Sequence, residues 1–154
     1  MSSKKAPVSA PAIPPALLQS PSFQLERLRR RTRDEVESRL AEHSTSLREY
    51  WVLTCLDDGD ATSQTALSAT LMIDTSDMVR LVDSLEKHGW AARERDPKDR
   101  RRQIVAITKK GHKARADLEK LVTRGEDEAL DESTSKQLKH LRKLAKAIIA
   151  TEDD

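Results

Sequence analysis

Trp90-Ala-Ala-Arg-Glu-Arg-Asp-Pro-Lys-Asp-Arg-Arg-Arg-Gln-Ile-Val-Ala-Ile-Thr108 decides the reading of this chain. Two short extended segments flank a charged tip in which Pro97 stands between Asp96 and Asp99, and Arg100, Arg101 and Arg102 follow at once. Asp and Pro favour chain reversal, so the stretch predicts a β-hairpin. A tip with this many guanidinium groups cannot enter a core, and their planar forks match phosphate oxygens and acceptor-lined grooves. Nucleic acid is the partner that this chemistry predicts.

Upstream of the hairpin the sequence reads as three helices. Ser46-Leu-Arg-Glu49 has the form of a capping box and opens a helix through Tyr50, Trp51, Val52, Leu53 and Leu56, which Asp57-Asp58-Gly59-Asp60 ends. Ser63 caps a short helix with Ala66, Leu67 and Leu71 as its apolar positions. Asp74, with Asp77 three residues on, is expected to cap a helix through Met78, Val79, Leu81, Val82 and Leu85, closed by Gly89 with Trp90 folding back on its last turn. Two helices joined by a tight turn and followed directly by a basic hairpin make the plan of a winged helix-turn-helix.

Farther out lie the terminal segments. Residues 1–21 hold Pro7, Pro11, Pro14, Pro15 and Pro21 and read as a disordered Pro/Ala/Ser-rich arm, in which Lys4 and Lys5 suit a phosphate backbone but read first as solvated charges. Residues 22–45 read as an amphipathic helix with Phe23, Leu25, Leu28, Val36 and Leu40 at three-and-four spacing, a stripe that needs another helix or another chain to cover it. Residues 46–108 form the winged unit. Thr108 caps the next helix, running through Ala114, Leu118, Leu121 and Val122 to about Leu130. Its first turns carry Lys109, Lys110, Lys113 and Arg115, an arrangement that opposes the helix dipole and hints at an external anion. A last helix from about Ser133 to Ala150 places Leu138, Leu141, Leu144, Ala145 and Ile148 on one face, so that residues 109–150 are two C-terminal helices; residues 151–154 read as an acidic tail.

Composition narrows the function classes. The 154 residues fit one domain with helical extensions; at 3% aromatic content with four glycines they disfavour an all-β fold. The net charge of +2, with 35% of residues charged, makes any basic function local. One cysteine permits no intramolecular disulfide. His43, His88, His112 and His140 are scattered without ligand spacing, so no metal or other cofactor is expected. Neither a catalytic triad nor a glycine-rich phosphate loop is apparent, and the chain reads as non-enzymatic. The start shows no apolar signal region, and a cytoplasmic location is expected.

The segments Leu85-Glu-Lys-His-Gly-Trp90, Arg95-Asp-Pro-Lys-Asp-Arg-Arg101 and Ile104-Val-Ala-Ile-Thr-Lys-Lys-Gly111 closely resemble the wing region of the MarR family of bacterial transcriptional regulators. The resemblance extends over about Ser22 to Ala150, with Trp90 standing where the family usually has Leu. It implies a mainly α fold with a small β-hairpin wing, in which terminal helices intertwine in a homodimer and two winged helices bind a palindromic operator, most often as a repressor. It also implies release by a small aromatic or phenolic ligand.

By that resemblance the helix after Asp74 is the recognition helix, with Thr75, Ser76, Val79 and Arg80 toward the DNA and Ser63 at the start of the preceding helix also in the DNA-binding set. Val79 suits a thymine methyl or the protein core equally. The family's Asp-x-Arg element maps onto Asp99 and Arg101: Arg101 is the minor-groove probe, Asp99 its support, and Arg95, Lys98, Arg100 and Arg102 the phosphate contacts. His43, Tyr50 and Trp51 are the clustered groups for a ligand pocket, or else ordinary packing at a helix junction. Two other readings stay open: a winged-helix module for protein interaction or architecture with no effector, and a thiol redox regulator acting through Cys55. The apolar surroundings of Cys55 favour a buried structural thiol.

Overall fold

A computed structural model describes residues 12–152. The Lys4 and Lys5 reading, residues 1–11 of the proposed arm and Asp153–Asp154 of the acidic tail lie outside these described residues. Seven helices and one two-stranded sheet follow in order: α1 Pro15–Leu18, α2 Pro21–Ala41, α3 Leu47–Asp58, α4 Gln64–Leu71, α5 Thr75–His88, β1 Ala91–Arg95, β2 Gln103–Ile107, α6 Lys109–Ala129 and α7 Ser135–Ile149. None is long and apolar enough to cross a membrane.

The arm reading needs correcting at its end. Pro15–Leu18 form a helical turn, and Pro21 is the first residue of α2 rather than a barrier to it. Proline lacks the N–H that a first helical turn leaves unused, and its fixed φ suits that position. In the helix interior the same residue breaks the hydrogen-bond ladder.

Cap chemistry sets most of the remaining boundaries. Ser46 Oγ accepts from Glu49 N at 3.2 Å while Glu49 Oε2 accepts from Ser46 N at 3.1 Å, completing the capping box of α3. Ser63 and Thr108 accept from Ala66 N and Gly111 N, starting α4 and α6. Asp74 departs from expectation: it occupies the N-cap position of α5, yet its carboxylate accepts from the Ser76 hydroxyl at 2.5 Å instead of a backbone N–H. α7 begins at Ser135, two residues later than the sequence suggests, because Thr134 and Gln137 form its capping box. Gly89 closes α5 at φ 76°, a left-handed conformation that costs glycine nothing, and Trp90 N returns to Leu85 O at 3.0 Å.

The core gathers where α3, α5 and the hairpin meet α2 and α6. Val52, Leu53 and Leu56 of α3, Met78, Val82 and Leu85 of α5, and Val105 of β2 are fully enclosed, joined by Val36 and Leu40 of α2 and Leu118 and Val122 of α6. α2 and α6 approach closely at Gly125, where a β-carbon would stand 2.8 Å from Val36 Cγ2. The hairpin is antiparallel, pairing Ala91 with Ile107 through Arg95 with Gln103. Thr62, just before α4, adds a bridge to its free side, donating to Val105 O at 3.1 Å and accepting from Val105 N at 2.7 Å. The wing is thereby stitched to the helix-turn-helix through its backbone.

Candidate nucleic-acid interface

The exposed face of α5 and the tip of the hairpin carry the candidate site. Met78, Val82 and Leu85 fix the buried side of α5, and helical periodicity then turns Thr75, Ser76, Val79 and Arg80 outward together. Val79, which the sequence left between core and groove, is 40% exposed. Arg80 lies 3.8 Å from Asp77, which also faces Arg48 of α3 at 3.7 Å. A surface pair of this length contributes little to stability and leaves the guanidinium available.

The wing tip is built from its own backbone polar groups. Asp96 Oδ1 accepts from Lys98 N at 2.9 Å, Asp99 Oδ1 from Arg101 N at 3.1 Å, and Asp96 N donates to Arg102 O at 2.9 Å. Arg95 donates to Arg100 O at 3.0 Å, so one of its N–H groups braces the tip it was expected to serve only as a phosphate contact. The Asp99 carboxylate lies 3.5 Å from Arg101 Nε, while the Arg101 side chain remains 95% exposed. Lys98 and Arg100 have no side-chain partner among the described residues. The tip thus presents cations on a stiffened turn.

Ser63 must be withdrawn from the groove-facing set. It is buried, and its hydroxyl already serves Ala66 N and Arg102 Nη2, the latter at 3.4 Å. Its part is to tie Arg102 to the start of α4. Beside it a groove runs between α4 and the wing, with Thr65 and Ala69 opposite Arg101 and Gln103.

Arg93, overlooked in the sequence, holds the two halves of the surface in register. From the side of β1 that also carries Ala91, it reaches Asp83 at 2.7 Å, Gln64 Oε1 at 2.8 Å and Val79 O at 3.2 Å, and it pairs with Glu86. It therefore touches both helices of the helix-turn-helix from the wing. The available signal was strand alternation, which puts residues 91, 93 and 95 on one face and so turns Arg93 toward the helices.

The sequence pattern of the MarR family matches residues 45–102, the span that holds all of this geometry. The helix-turn-helix and most of the wing are thus similar to the MarR family. A protein of Thauera aromatica named for transcriptional regulation of the hcr operon is 35% identical over 75 residues, 49% of this chain and 45% of its own length. The match therefore spans less than half of that curated relative. CouR from Rhodococcus jostii RHA1 bound to p-coumaroyl-CoA superposes with a TM-score of 0.74 at 27% identity, covering 88% of this chain and 95% of CouR. The repressor CouR bound to a 23-mer DNA duplex gives 0.78 at 27%, covering 92% and 99%. Wild-type MarR of E. coli, at 20% identity and 0.72 over 89% and 98%, shares the fold.

The three aromatic and imidazole residues expected to form one pocket do not converge. His43 lies at a cleft with Trp90 and α6, Trp51 lies at a separate hollow with Arg29, Arg33 and Glu126, and Tyr50 packs on the core. Their nearness in sequence is undone by the turn at Ser44, φ 55°, and by the start of α3. Burial raises the Glu126 carboxyl above its ordinary range, with Arg142 opposing and Asp127 adding to the shift. Cys55 is half-buried, and burial, then the Asp58 charge, raises its thiol above the ordinary value. Both effects disfavour the thiolate that oxidants attack.

Proposed function

We propose that this protein is a homodimeric transcriptional regulator, most simply a repressor, that places α5 of each protomer in the major groove of a palindromic operator and its wing tip in the flanking minor groove. One observation carries the reading: the outward face of α5 and the unburied Arg101 are held on a single rigid surface by Arg93. Thr75, Ser76, Val79 and Arg80 read or brace the major groove, Arg101 enters the minor groove with Asp99 shaping its turn, and Lys98, Arg100, Arg102 and the free edge of Arg95 neutralise phosphates. CouR held on a DNA duplex supports this assignment by its likeness along nearly the whole chain.

The dimer reading rests on uncovered apolar surface. Leu144 and Ile148 of α7 are 61% and 58% exposed, and Leu17, Leu18, Leu25 and Leu28 near the other end are also uncovered. Such a surface on both terminal elements suits a second copy of the chain. The effector reading is a small aromatic or phenolic acid, free or as its coenzyme A thioester, the latter supported by CouR with p-coumaroyl-CoA.

Genome-wide mapping of bound DNA, followed by titration of the recovered site at several salt concentrations, tests the proposal. A shared inverted repeat and a steep fall of log affinity with log salt are expected from phosphate neutralisation. Bound regions without a common sequence, or a flat salt response, overturn it.

A further inference from the structure

The surface proposed to face DNA divides its charges unevenly. From Asp74 to His88 the chain holds Asp74, Asp77, Asp83 and Glu86 against Arg80 and Lys87, whereas Lys98, Arg100, Arg101 and Arg102 crowd the wing tip. An element built only to hold phosphates would not carry an excess of carboxylates, because each one repels the polyanion. Three of the four acids have partners that account for them. Asp83 and Glu86 are taken up by Arg93, the former at 2.7 Å, and the Asp74 carboxylate accepts from the Ser76 hydroxyl.

Asp77 is the exception. It stands in the first turn of α5 with its side chain 43% exposed, and its carboxylate accepts no hydrogen bond among the described residues. Oδ1 faces Arg80 Nη1 at 3.8 Å and Oδ2 faces Arg48 Nη1 at 3.7 Å, so one carboxylate lies between guanidinium groups from two helices. The helix dipole favours a carboxylate in a first turn, which explains the acid but not the two arginines gathered on it. Contacts of this length between exposed side chains add little to stability. They do set direction. Arg80, 81% exposed, stands about one turn after Asp77, and Arg48 arrives from the first turn of α3. An acceptor and a donor fork are thus presented side by side on the surface of α5.

The chemistry of base edges gives such a pair a use. In the major groove a guanine offers the acceptors O6 and N7, which suit an arginine fork, and a cytosine offers the N4 amino donor, which suits a carboxylate. Thymine presents an acceptor oxygen in that place, and a phosphate presents only anionic oxygens; both disfavour Asp77. We propose, on the strength of the operator reading above, that Asp77 is a specificity-determining residue whose carboxylate accepts from the N4 amino group of a cytosine next to the guanine held by Arg80. Arg48 keeps the carboxylate in place. Asp77 therefore lowers affinity for DNA in general while raising the preference for one base step in each half-site.

The test selects sites from a library of random duplexes with the full wild-type chain. Gel-shift affinities of wild type, Asp77→Ala and Asp77→Asn are then measured for the selected site, for that site with the C·G pair changed to T·A, and for random duplex. Sites recovered by wild type should share a cytosine beside a guanine in each half. Changing that cytosine should cost wild type about tenfold and Asp77→Ala less than about twofold. Asp77→Ala should also bind random duplex more tightly than wild type, with the slope of log affinity against log salt steeper by about one as a released arginine turns to a phosphate. Asp77→Asn, which keeps an acceptor oxygen without the charge, should fall between. A structural role alone would weaken binding to every duplex together. Variants that are folded by circular dichroism yet lose selected and random affinity in parallel therefore overturn the proposal. So does an unchanged penalty at the cytosine in Asp77→Ala, or a set of selected sites without that cytosine; either result leaves the operator reading standing. Selection of no shared sequence by wild type, with DNA still bound, overturns the operator reading and this role together.

Discussion

Helix α5 fully encloses Met78, Val82 and Leu85, whereas α7, with an equally regular stripe of Leu138, Leu141, Leu144 and Ile148, buries none of its residues. Both stripes call for cover. For α5 the chain supplies it through α3, α4 and β1; for α7 it supplies almost none. The difference teaches that amphipathicity fixes which face of a helix is apolar but not which molecule covers it. The polar side of α5 is then left free at the surface, while the apolar side of α7 is left uncovered.

Leu144→Asp combined with Ile148→Asp puts two charges into the surface proposed to join two chains, and should give the largest effect. Sedimentation should show monomers, with operator binding lost. A dimer of wild-type mass in the double variant would move the interface elsewhere.

Met78→Ala attacks the covered stripe instead. Truncating a fully buried methionine should cost about 2–5 kcal/mol in chemical denaturation. A cost below about 1 kcal/mol, close to that of a surface change, would mean that α5 is not seated as described.

Arg101→Ala removes an exposed cation and should leave stability within about 0.5 kcal/mol of wild type while costing about 1–3 kcal/mol in DNA binding. Unchanged affinity in a gel shift would remove the wing from the interface. Arg93→Ala, by contrast, should lose both stability and DNA affinity, because that side chain joins the wing to α5 and α4.

The smallest expected effect concerns Cys55. With its thiol raised by burial and by Asp58, it should react with iodoacetamide more slowly at neutral pH than an unperturbed cysteine, and peroxide should leave DNA affinity unchanged. Rapid alkylation of the folded protein, or peroxide-induced release, would revive the redox reading.

Much of the fold was legible because local chemistry dictates it. Ser46 with Glu49, Ser63, Thr108 and Gly89 mark helix ends through hydrogen bonds to residues nearby in sequence, and the Asp96-to-Arg102 tip folds on itself in the same way. What was not legible depends on long-range partners. Arg93 and Arg101 look alike in sequence, yet one is spent on Asp83, Glu86 and Gln64 and the other faces outward, because strand alternation and the position of α4 decide between them. Ser63 appeared available until Arg102 arrived from the wing. His43 and Trp51 were grouped by proximity along the chain and were separated by a turn.

Hydroxyl-radical footprinting on the mapped operator, with the mass of the complex measured in parallel, tests the central claim most directly. Two protected blocks with their centres about 10 bp apart, symmetric about a dyad and bound by two chains per duplex, are expected from paired α5 helices in successive major grooves. A single protected block bound by one chain, or uniform protection without a dyad, rules out the paired arrangement.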